Sequence, residues 1–354
     1  MLPLPGPTRP EHGRSLARVA ALQLSEGDVA ELDRRFPAGR LLRIPRAARR
    51  PTDPGAGDVV LVVGLPGAGK STLAEELVEQ GYERLNRDQT GGRLSDLLPR
   101  LGRLLAAGQR RVVLDNTYGS RTARNAVIET AWAHGAAVRC VWLQTGLEDA
   151  QVNVVQRMLQ RYGGLLEPDA LKDAARKDPG ALSPRALCRH RREFEAPDES
   201  EGFARIDRVS FRRRRPPDFR NRALIIGYDI LVEPGVLAAR REFIRRHADE
   251  GDLVIGLSWP REVARGRPTP AAVTASFARA SALLGTDVEW AFCPHGDGPP
   301  VCWCRKPLPG LGTMMIERYR LDPALCIYLG RDAGDEAFAR ALGFRYQSLN
   351  EVPA

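Results

Sequence analysis

Residues 59–72 read VVLVVGLPGAGKST, an apolar run followed by a glycine-rich loop, a lysine and two hydroxyl side chains. The spacing Gly-x-x-x-x-Gly-Lys-Ser over Gly64–Ser71 is typical of loops that bind nucleotide phosphates. Glycines are needed because backbone N–H groups must turn toward the phosphates, and a Cβ atom would block their approach. Val59–Val63 predicts a buried strand, and Thr72–Gln80 predicts a helix whose positive N-terminal end faces the phosphates.

Individual side chains of this loop suit different parts of a nucleotide. Lys70 would bridge the β- and γ-phosphates, and the Ser71 hydroxyl would ligate Mg²⁺. We therefore expect ATP and Mg²⁺ to bind here. The predicted ATP- and magnesium-binding residues are Gly64, Gly67, Ala68, Gly69, Lys70, Ser71 and Thr72.

Short apolar runs alternate with helical segments after this loop. They lie at Tyr82–Leu85, Arg111–Leu114, Val138–Leu143 and Phe203–Phe211. Thr145 and Glu148 have the spacing of a capping box, which predicts a helix start. The alternation predicts an α/β fold, with a parallel sheet covered by helices on both faces.

Two carboxylates follow strands of this predicted sheet, Asp88 and Asp115. Ligands gather at the carboxyl ends of parallel strands, and phosphoryl transfer needs a group that accepts the proton of the attacking hydroxyl. One such Asp alone is better explained as a helix cap, but two beside one phosphate loop favour a site. We interpret Asp88 as the base and Lys70 as a second catalytic residue, with Asp115 holding Mg²⁺ through water or orienting the substrate. The predicted substrate-binding residues are Arg87, Asp115, Asn116 and Thr117.

A kinase must also exclude water, usually by closing a lid that carries arginine. Arg157 and Arg161, on the helix after Leu147, are the first candidates, and Arg157 is the third predicted catalytic residue. Further cations follow at Arg185, Arg189, Arg191 and Arg192. For any one of them, a solvated basic helix face explains the residue equally well.

Charge and hydropathy restrict the class of protein further. The formal net charge is +9, which fits an anionic partner such as a nucleic acid and equally an arginine-biased composition. No run of about 18 apolar residues is present, so we expect no membrane span. The first residues lack the apolar core of a secretory signal, which predicts a cytoplasmic protein.

A second α/β series begins after the cation- and proline-rich stretch Arg212–Pro217. Its candidate strands lie at Ala223–Ile226, Leu253–Leu257, Val288–Phe292 and Leu325–Leu329. We predict a basic N-terminal extension of unknown role over residues 1–56, a P-loop domain over 57–212, a linker over 213–220 and a second domain over 221–354.

Four soft ligands cluster in this second domain in a Cys-x-His and Cys-x-Cys arrangement. They are Cys293, His295, Cys302 and Cys304. Sulfur and imidazole ligands at such spacing predict a closed, tetrahedral, structural Zn²⁺ site.

The motifs GLPGAGKSTL, GYERLNRD, VVLDNT, LEDAQVNVVQRM and HRREFEAPDESEGF, in this order, resemble the kinase domain of 5′-hydroxyl polynucleotide kinases. The resemblance covers residues 58–212. It implies transfer of the ATP γ-phosphate to a 5′-hydroxyl of DNA or RNA, with Asp88 as base, Asp115 at the substrate end and Arg157 acting from the lid. One departure is Gly91, where some members carry a phosphate-gripping arginine, although Arg93 is near.

The stretch CPHGDGPPVCWCRKPLPG resembles the zinc loop and lysine motif of haloacid-dehalogenase-type phosphatases, and the resemblance covers residues 223–344. It implies a Rossmannoid domain with a degenerate site. Gly227 stands in the place of the nucleophile, and Arg331 replaces an acid that holds Mg²⁺. The degenerate site comprises Gly227, Asp229, Ser258, Lys306 and Asp335. Without a nucleophile, aspartyl-phosphate chemistry is lost, so we expect an inactive domain whose remaining Ser258, Lys306 and Arg331 could bind a phosphate.

These resemblances imply an ATP-dependent polynucleotide 5′-hydroxyl kinase in nucleic-acid end repair, fused to a zinc-bearing phosphatase-like domain. Three alternatives stay open: a kinase for a small metabolite or nucleoside, a bifunctional kinase and 3′-phosphatase, and an ATP-switched nucleic-acid-binding assembly protein. The sequence does not discriminate DNA from RNA and does not predict an oligomeric state.

Overall fold

The computed structural model describes residues 25–35, 58–214, 216–260, 266–296 and 301–352. The chain divides into two compact units, Met1–Arg49 and Arg50–Ala354. In the first unit the described part centres on helix α1, Glu26–Arg35. The rest of the predicted N-terminal extension over residues 1–56 lies outside the described residues, as does Arg215 of the predicted linker.

A five-stranded parallel sheet and its helices form residues 58–214, which we call the first lobe. Its strands are β1 Asp58–Val63, β2 Glu83–Leu85, β3 Arg111–Asp115, β4 Ala137–Gln144 and β5 Arg205–Ser210, in the order β2-β3-β1-β4-β5. Its helices are α2 Lys70–Glu79, α3 Arg87–Thr90, α4 Leu97–Ala106, α5 Arg121–Ala133, α6 Leu147–Tyr162, α7 Pro168–Lys177 and α8 Pro184–Arg192. Short 3₁₀ helices lie at Leu94–Asp96 and Glu199–Glu201.

Strand β1 lies at the centre of this sheet, between β3 and β4. Its residues Val59–Val63 are all fully buried. A parallel strand with helices on both faces is apolar on both faces, which is why this run shows no alternation. The register pairs Val62 with Asp115, so the phosphate loop and the Asp115 carboxylate emerge at the same edge of the sheet.

A second parallel sheet and its helices form residues 216–352, which we call the second lobe. Its strands are β6 Ala223–Gly227, β7 Leu253–Ser258, β8 Glu289–Phe292, β9 Ile327–Gly330 and β10 Arg345–Ser348, in the order β10-β9-β6-β7-β8. Its helices are α9 Tyr228–Val232, α10 Pro234–Asp249, α11 Pro270–Leu284, α12 Gly310–Tyr319 and α13 Ala333–Leu342. Short 3₁₀ helices lie at Pro323–Leu325 and Leu349–Glu351.

The predicted fold class, two successive α/β series built on parallel sheets, is confirmed. Strand β10 was not predicted, because Arg345–Ser348 contains no apolar run and is partly buried or exposed at the sheet edge. Among the described residues no helix combines the length and the apolar character needed to cross a bilayer.

The capping box predicted at Thr145 and Glu148 is wrong. Helix α6 begins after Gly146 without a side-chain cap. The Thr145 hydroxyl instead donates to the carbonyl oxygen of Ala68 at 3.2 Å. This hydroxyl therefore joins the start of α6 to the phosphate loop, a tertiary contact that local spacing cannot reveal.

Candidate functional site

The phosphate loop connects β1 to α2 and turns on glycines in the left-handed region of backbone space. Gly67 has φ 81° and Gly69 has φ 91°, values that side chains with a Cβ atom adopt only with strain. A Cβ atom on Gly69 would meet nothing within 4 Å. The inner side of the loop is therefore open to a ligand, as phosphate binding requires.

Lys70 is the first residue of α2, and its ammonium group is held inside the loop. Its Nζ donates to the carbonyl oxygens of Gly64 at 3.0 Å and Leu65 at 2.8 Å. Burial lowers the pKa of Lys70 to about 8, because a charged group loses hydration there. A bound polyphosphate would supply the missing negative charge, so the loop fits the phosphates of ATP. Ser71 and Thr72, which follow on α2, are exposed.

Asp88 lies on α3, a single turn after β2. The Asn86 side chain caps this turn, and its Oδ1 accepts from the backbone N–H of Asp88 at 2.7 Å. The Arg87 guanidinium donates to one Asp88 oxygen through Nη2 at 2.7 Å and Nε at 3.1 Å. The Asp88 carboxylate is exposed, so it can contact a substrate when Arg87 moves aside.

Asp115 is buried at the end of β3, and one of its carboxylate oxygens, Oδ2, is engaged by neighbouring side chains. Its carboxylate pairs with Arg84 and accepts from Asn86 Nδ2 at 3.1 Å, and its carbonyl accepts from the same Nδ2 at 2.7 Å. Asp115 therefore holds Asn86, the residue that caps the turn bearing Asp88. Arg84 was not predicted as a site residue. The signal that could have indicated it is a cation on the strand next to the one that ends at Asp115.

These residues surround one cavity of about 710 Å³. The predicted site residues that line it are Gly67, Gly69, Lys70, Ser71, Thr72, Arg87, Asp88, Asp115, Asn116, Thr117 and Arg157. Gly64 and Ala68 belong to the loop but lie outside this lining. The Asn116 Oδ1 accepts from the backbone N–H of Arg87 at 3.1 Å, which ties the strand end to the turn of α3.

The cavity has further walls that the sequence analysis did not predict. Asn153 and Gln156 of α6 and His190 of α8 line it. The Asn153 Nδ2 donates to the carbonyl of Gly67 at 2.8 Å, and burial lowers the pKa of His190. Each is a polar residue near a predicted cation, but helical position alone does not distinguish it from a solvated residue.

Only one of the predicted lid arginines lines the cavity. Arg157 does so, with Nη2 3.4 Å from the carbonyl of Gly180. Arg161 instead pairs with Asp178, at 3.0 Å. The arginines of α8, namely Arg185, Arg189, Arg191 and Arg192, are also outside the lining.

The four predicted metal ligands converge in the second lobe. Their donor atoms all lie within 4.8 Å of one another. Cys293 Sγ is 3.7 Å from Cys302 Sγ, and His295 Nδ1 is 3.1 Å from Cys304 Sγ. Tetrahedral Zn²⁺ with bonds of about 2.3 Å places its sulfurs about 3.8 Å apart, so this donor set fits a structural zinc ion.

The residues of the predicted degenerate phosphatase site meet at the carboxyl edge of the second sheet. Gly227 ends β6, and Ser258 ends β7, where its hydroxyl is buried without a hydrogen-bond partner among the described residues. Asp229 and Lys306 line a cavity of about 520 Å³. Lys306 pairs with Asp335, so its charge is already balanced within the protein.

Arg331 occupies the position next to Asp229. Its Nε lies 3.3 Å from the Asp229 carboxylate, and Nη1 and Nη2 pair with Glu233 at 2.9 and 3.1 Å. Burial raises the pKa of Asp229 while the Arg331 charge opposes that rise. The Mg²⁺ ion that the phosphatase resemblance implies does not fit here, because the carboxylates at this edge are already neutralised. The Arg331 guanidinium pairs with Asp229 and Glu233, and Lys306 pairs with Asp335. Lys306 and Arg331, which we expect to be able to bind a phosphate, each form ion pairs within the protein; phosphate binding by them stays a prediction.

Residues 59–176 match a family model described as an AAA domain. A bifunctional polynucleotide phosphatase/kinase from Schizosaccharomyces pombe is 30% identical over 156 residues, which cover 44% of this chain and 34% of that protein. The chain thus spans about a third of the length of this relative.

Two solved structures are similar to parts of the chain. A fungal RNA kinase aligns at 12% identity and a TM-score of 0.32, covering 63% of this chain and 49% of the other. D,D-heptose 1,7-bisphosphate phosphatase from B. bronchiseptica aligns at 25% identity and a TM-score of 0.30, covering 36% and 78%. The sequence relationship confirms the resemblance that the motifs indicate: the chain carries a kinase-type P-loop domain similar to that of a polynucleotide kinase.

Proposed function

We propose that this protein transfers the γ-phosphate of ATP to the 5′-hydroxyl end of a DNA or RNA strand. The observation that carries the proposal is the shared cavity, where Lys70, Asp88 and Arg157 surround one space beside the phosphate loop. A phosphate-binding lysine, a carboxylate and a lid cation are the groups that phosphoryl transfer to a hydroxyl uses.

In the proposed reaction, the 5′-hydroxyl oxygen attacks the γ-phosphorus while Asp88 accepts the hydroxyl proton. The bond between the γ-phosphorus and the bridging oxygen breaks, and ADP leaves. Lys70 and the N-terminal end of α2 hold the phosphates, and Arg157 stabilises charge on the transferred group. Mg²⁺, when bound, would neutralise phosphate charge, and the Ser71 hydroxyl is the residue proposed to hold it.

Asp115 has a positioning role in this proposal. Its carboxylate already pairs with Arg84 and accepts from Asn86. Because Asn86 caps the turn that bears Asp88, Asp115 would set the direction of the base. Asn116, Thr117 and Arg87 line the remaining wall and are proposed to contact the substrate end.

Two observations support a nucleic acid as the substrate. The chain carries a net charge of +9, which favours a polyanion. The relative from Schizosaccharomyces pombe bears the name polynucleotide phosphatase/kinase. In this proposal residues 57–212 form the kinase domain, residues 221–354 form a second domain with a structural Zn²⁺ site, and nucleic-acid ends are the partner.

The direct test is transfer of labelled γ-phosphate from ATP to 5′-hydroxyl oligonucleotides of DNA and RNA. Labelled 5′ ends are expected with at least one of them. If the wild-type protein hydrolyses ATP but labels neither, the substrate assignment is wrong.

Asp88→Asn tests the assignment of the base. The substitution keeps the size of the side chain and removes its ability to accept a proton, so transfer should fall by about 10²-fold or more while ADP binding is retained. Asp173→Asn, at an exposed carboxylate on α7, is the matched control and should leave transfer unchanged. Loss of ADP binding in Asp88→Asn would show that the base is misassigned.

The salt dependence of substrate binding distinguishes a polynucleotide substrate from a small metabolite. Binding of a polynucleotide should weaken steeply as salt rises, because counterions are released from the phosphates; binding of a small neutral metabolite should change little. A protein for which ATP is only a switch would lose complex formation in Lys70→Ala without ever yielding a phosphorylated product.

A further inference from the structure

Helix α6 is shared between the two lobes. Asn153 donates to the carbonyl of Gly67 in the phosphate loop, at 2.8 Å. Gln156, one turn further along the same helix, donates through Nε2 to Glu317 of α12 in the second lobe, at 2.9 Å. Val152, on the same helix, is buried in the apolar cluster of the second lobe that contains Met315. The helix that carries Arg157 is therefore held by both lobes.

The segment between two of the metal ligands inserts into the first lobe. Trp303 lies between Cys302 and Cys304 and is buried, with 1% of its surface exposed. Its Nε1 donates to the carbonyl of Leu182 at 2.8 Å, and Leu182 lines the nucleotide cavity. The Trp303 ring belongs to an apolar cluster that includes Leu65 of the phosphate loop.

A second contact joins the metal ligands to the first lobe. His295 points Nδ1 at the cysteine sulfurs and places Nε2 2.6 Å from a carboxylate oxygen of Glu167. Glu167 is the residue immediately before α7. Metal-bound histidines commonly donate their second N–H to a carboxylate, which orients the ring and strengthens metal binding. Here that carboxylate comes from the lobe that binds nucleotide.

We propose that the cysteine and histidine cluster of the second lobe is thermodynamically coupled to the nucleotide cavity of the first, through Trp303 and the hydrogen bond between Glu167 and His295. The inference requires nucleotide binding by the phosphate loop but not transfer to a 5′-hydroxyl. A protein that binds ADP and phosphorylates no nucleic acid would refute the proposed function and leave this inference intact.

The physical reason is that four metal bonds restrict the segment that carries Trp303. Without metal, the thiol and imidazole ligands lose the ion that holds them together, and ordering this segment costs conformational entropy. The indole then no longer supports Leu182 at the cavity wall or packs in the apolar cluster that includes Leu65 of the phosphate loop. A coupling between two sites is reciprocal, so Zn²⁺ should tighten nucleotide binding and nucleotide should tighten Zn²⁺ binding by the same factor.

The first experiment compares Mg²⁺–ADP affinity, measured by calorimetry, for zinc-loaded and for chelator-stripped and dialysed full-length protein. Stripped protein should bind ADP about tenfold more weakly. Equal affinities in two folded samples would overturn the coupling.

Trp303→Phe removes the N–H donor and keeps an aromatic ring and all four ligands, so it tests the coupling in protein that retains its metal. Its zinc content should stay at the wild-type level while ADP affinity falls several-fold. Trp290→Phe is the matched control, since Trp290 is partly exposed on β8 and should bind ADP like wild type. Unchanged ADP affinity in Trp303→Phe would refute the role of this side chain.

Glu167→Gln tests the opposite direction. The variant should bind Zn²⁺ about tenfold or more weakly in competition with a chromogenic chelator, although Glu167 lies outside the lobe that holds the metal. Glu129→Gln, at an exposed position on α5, should have wild-type zinc affinity. If both variants bind Zn²⁺ equally well, the Glu167–His295 contact does not contribute.

Discussion

Gly67 of the phosphate loop lies directly against Ala150 of α6: a Cβ atom on Gly67 would come 2.6 Å from the Ala150 carbonyl oxygen. Glycine is thus needed at this position for two reasons. Its φ of 81° would strain a residue that has a Cβ atom, and the missing Cβ allows α6 to pack closely against the loop. The packing requirement follows from the tertiary position of α6.

Gly67→Ala should therefore lower stability more than Gly69→Ala. Both glycines have positive φ, but Gly69 has nothing within 4 Å of its would-be Cβ. Gly69→Ala should cost about 1 kcal/mol of backbone strain, and Gly67→Ala about 1–3 kcal/mol more for the steric overlap. Urea unfolding without nucleotide measures both variants, and equal losses would contradict the contact with Ala150.

The buried lysine of the phosphate loop predicts a pH dependence of stability. The pKa of Lys70 is lowered from 10.5 to about 8, so between these values the unfolded chain binds more protons than the folded protein. Raising pH through this window should therefore stabilise the wild-type protein relative to Lys70→Met, by about 3 kcal/mol. Parallel pH profiles for the free energy of unfolding of the two proteins would refute the lowered pKa.

Nucleotide binding should reverse this shift. Phosphate charges next to Lys70 favour its charged form, so ADP binding at about pH 9 should take up protons. Calorimetry in buffers of different ionisation enthalpy measures the number taken up. At about pH 6.5 Lys70 is charged with or without ligand and should contribute no uptake. An uptake at about pH 9 that Lys70→Arg retains would contradict the assignment to Lys70.

A buried ion pair lies within the first lobe. The Arg124 guanidinium and the Glu201 carboxylate have 0% and 1% side-chain exposure and form two hydrogen bonds of 2.6 and 2.7 Å. Glu201→Ala should destabilise the protein by about 3–5 kcal/mol, because the arginine charge stays buried without its partner.

Asp173→Ala is the comparison for this pair, since the ion pair of Asp173 with Arg176 is exposed. It should change the free energy of unfolding by less than about 1 kcal/mol. Denaturant titration compares both variants, and similar small effects would show that the Arg124–Glu201 pair is not needed for folding.

The second lobe should release no phosphate from a 3′-phosphorylated oligonucleotide. Gly227→Asp alone should not restore activity, because the Arg331 guanidinium still pairs with Asp229 at 3.3 Å where a metal would be needed. Malachite green detection of phosphate measures release. If the wild-type protein releases phosphate and Asp229→Asn abolishes that release, the prediction that the second lobe is inactive is wrong.

Local pattern predicted most of the fold. Buried strands such as β1 are continuous apolar runs. A Gly-rich loop of this spacing after such a run is typical of a phosphate loop. Strand β10 was missed because its residues carry no such pattern. Among the lid cations, helical position alone favoured neither Arg157 nor Arg161, and the family resemblance selected Arg157. The structure places Arg157 at the cavity, whereas Arg161 pairs with Asp178.

The sequence by itself determined the phosphate loop and the two α/β series, and it predicted the four metal ligands and the missing nucleophile at Gly227, because each depends on residues close together in the chain. Only the tertiary structure decided what these parts contact. Glu167 and His295 are 128 residues apart, and Gly67 packs against Ala150 of α6, an element that comes much later in the chain. Such contacts depend on how whole elements pack, and packing is governed by shape and burial that no short segment of sequence contains.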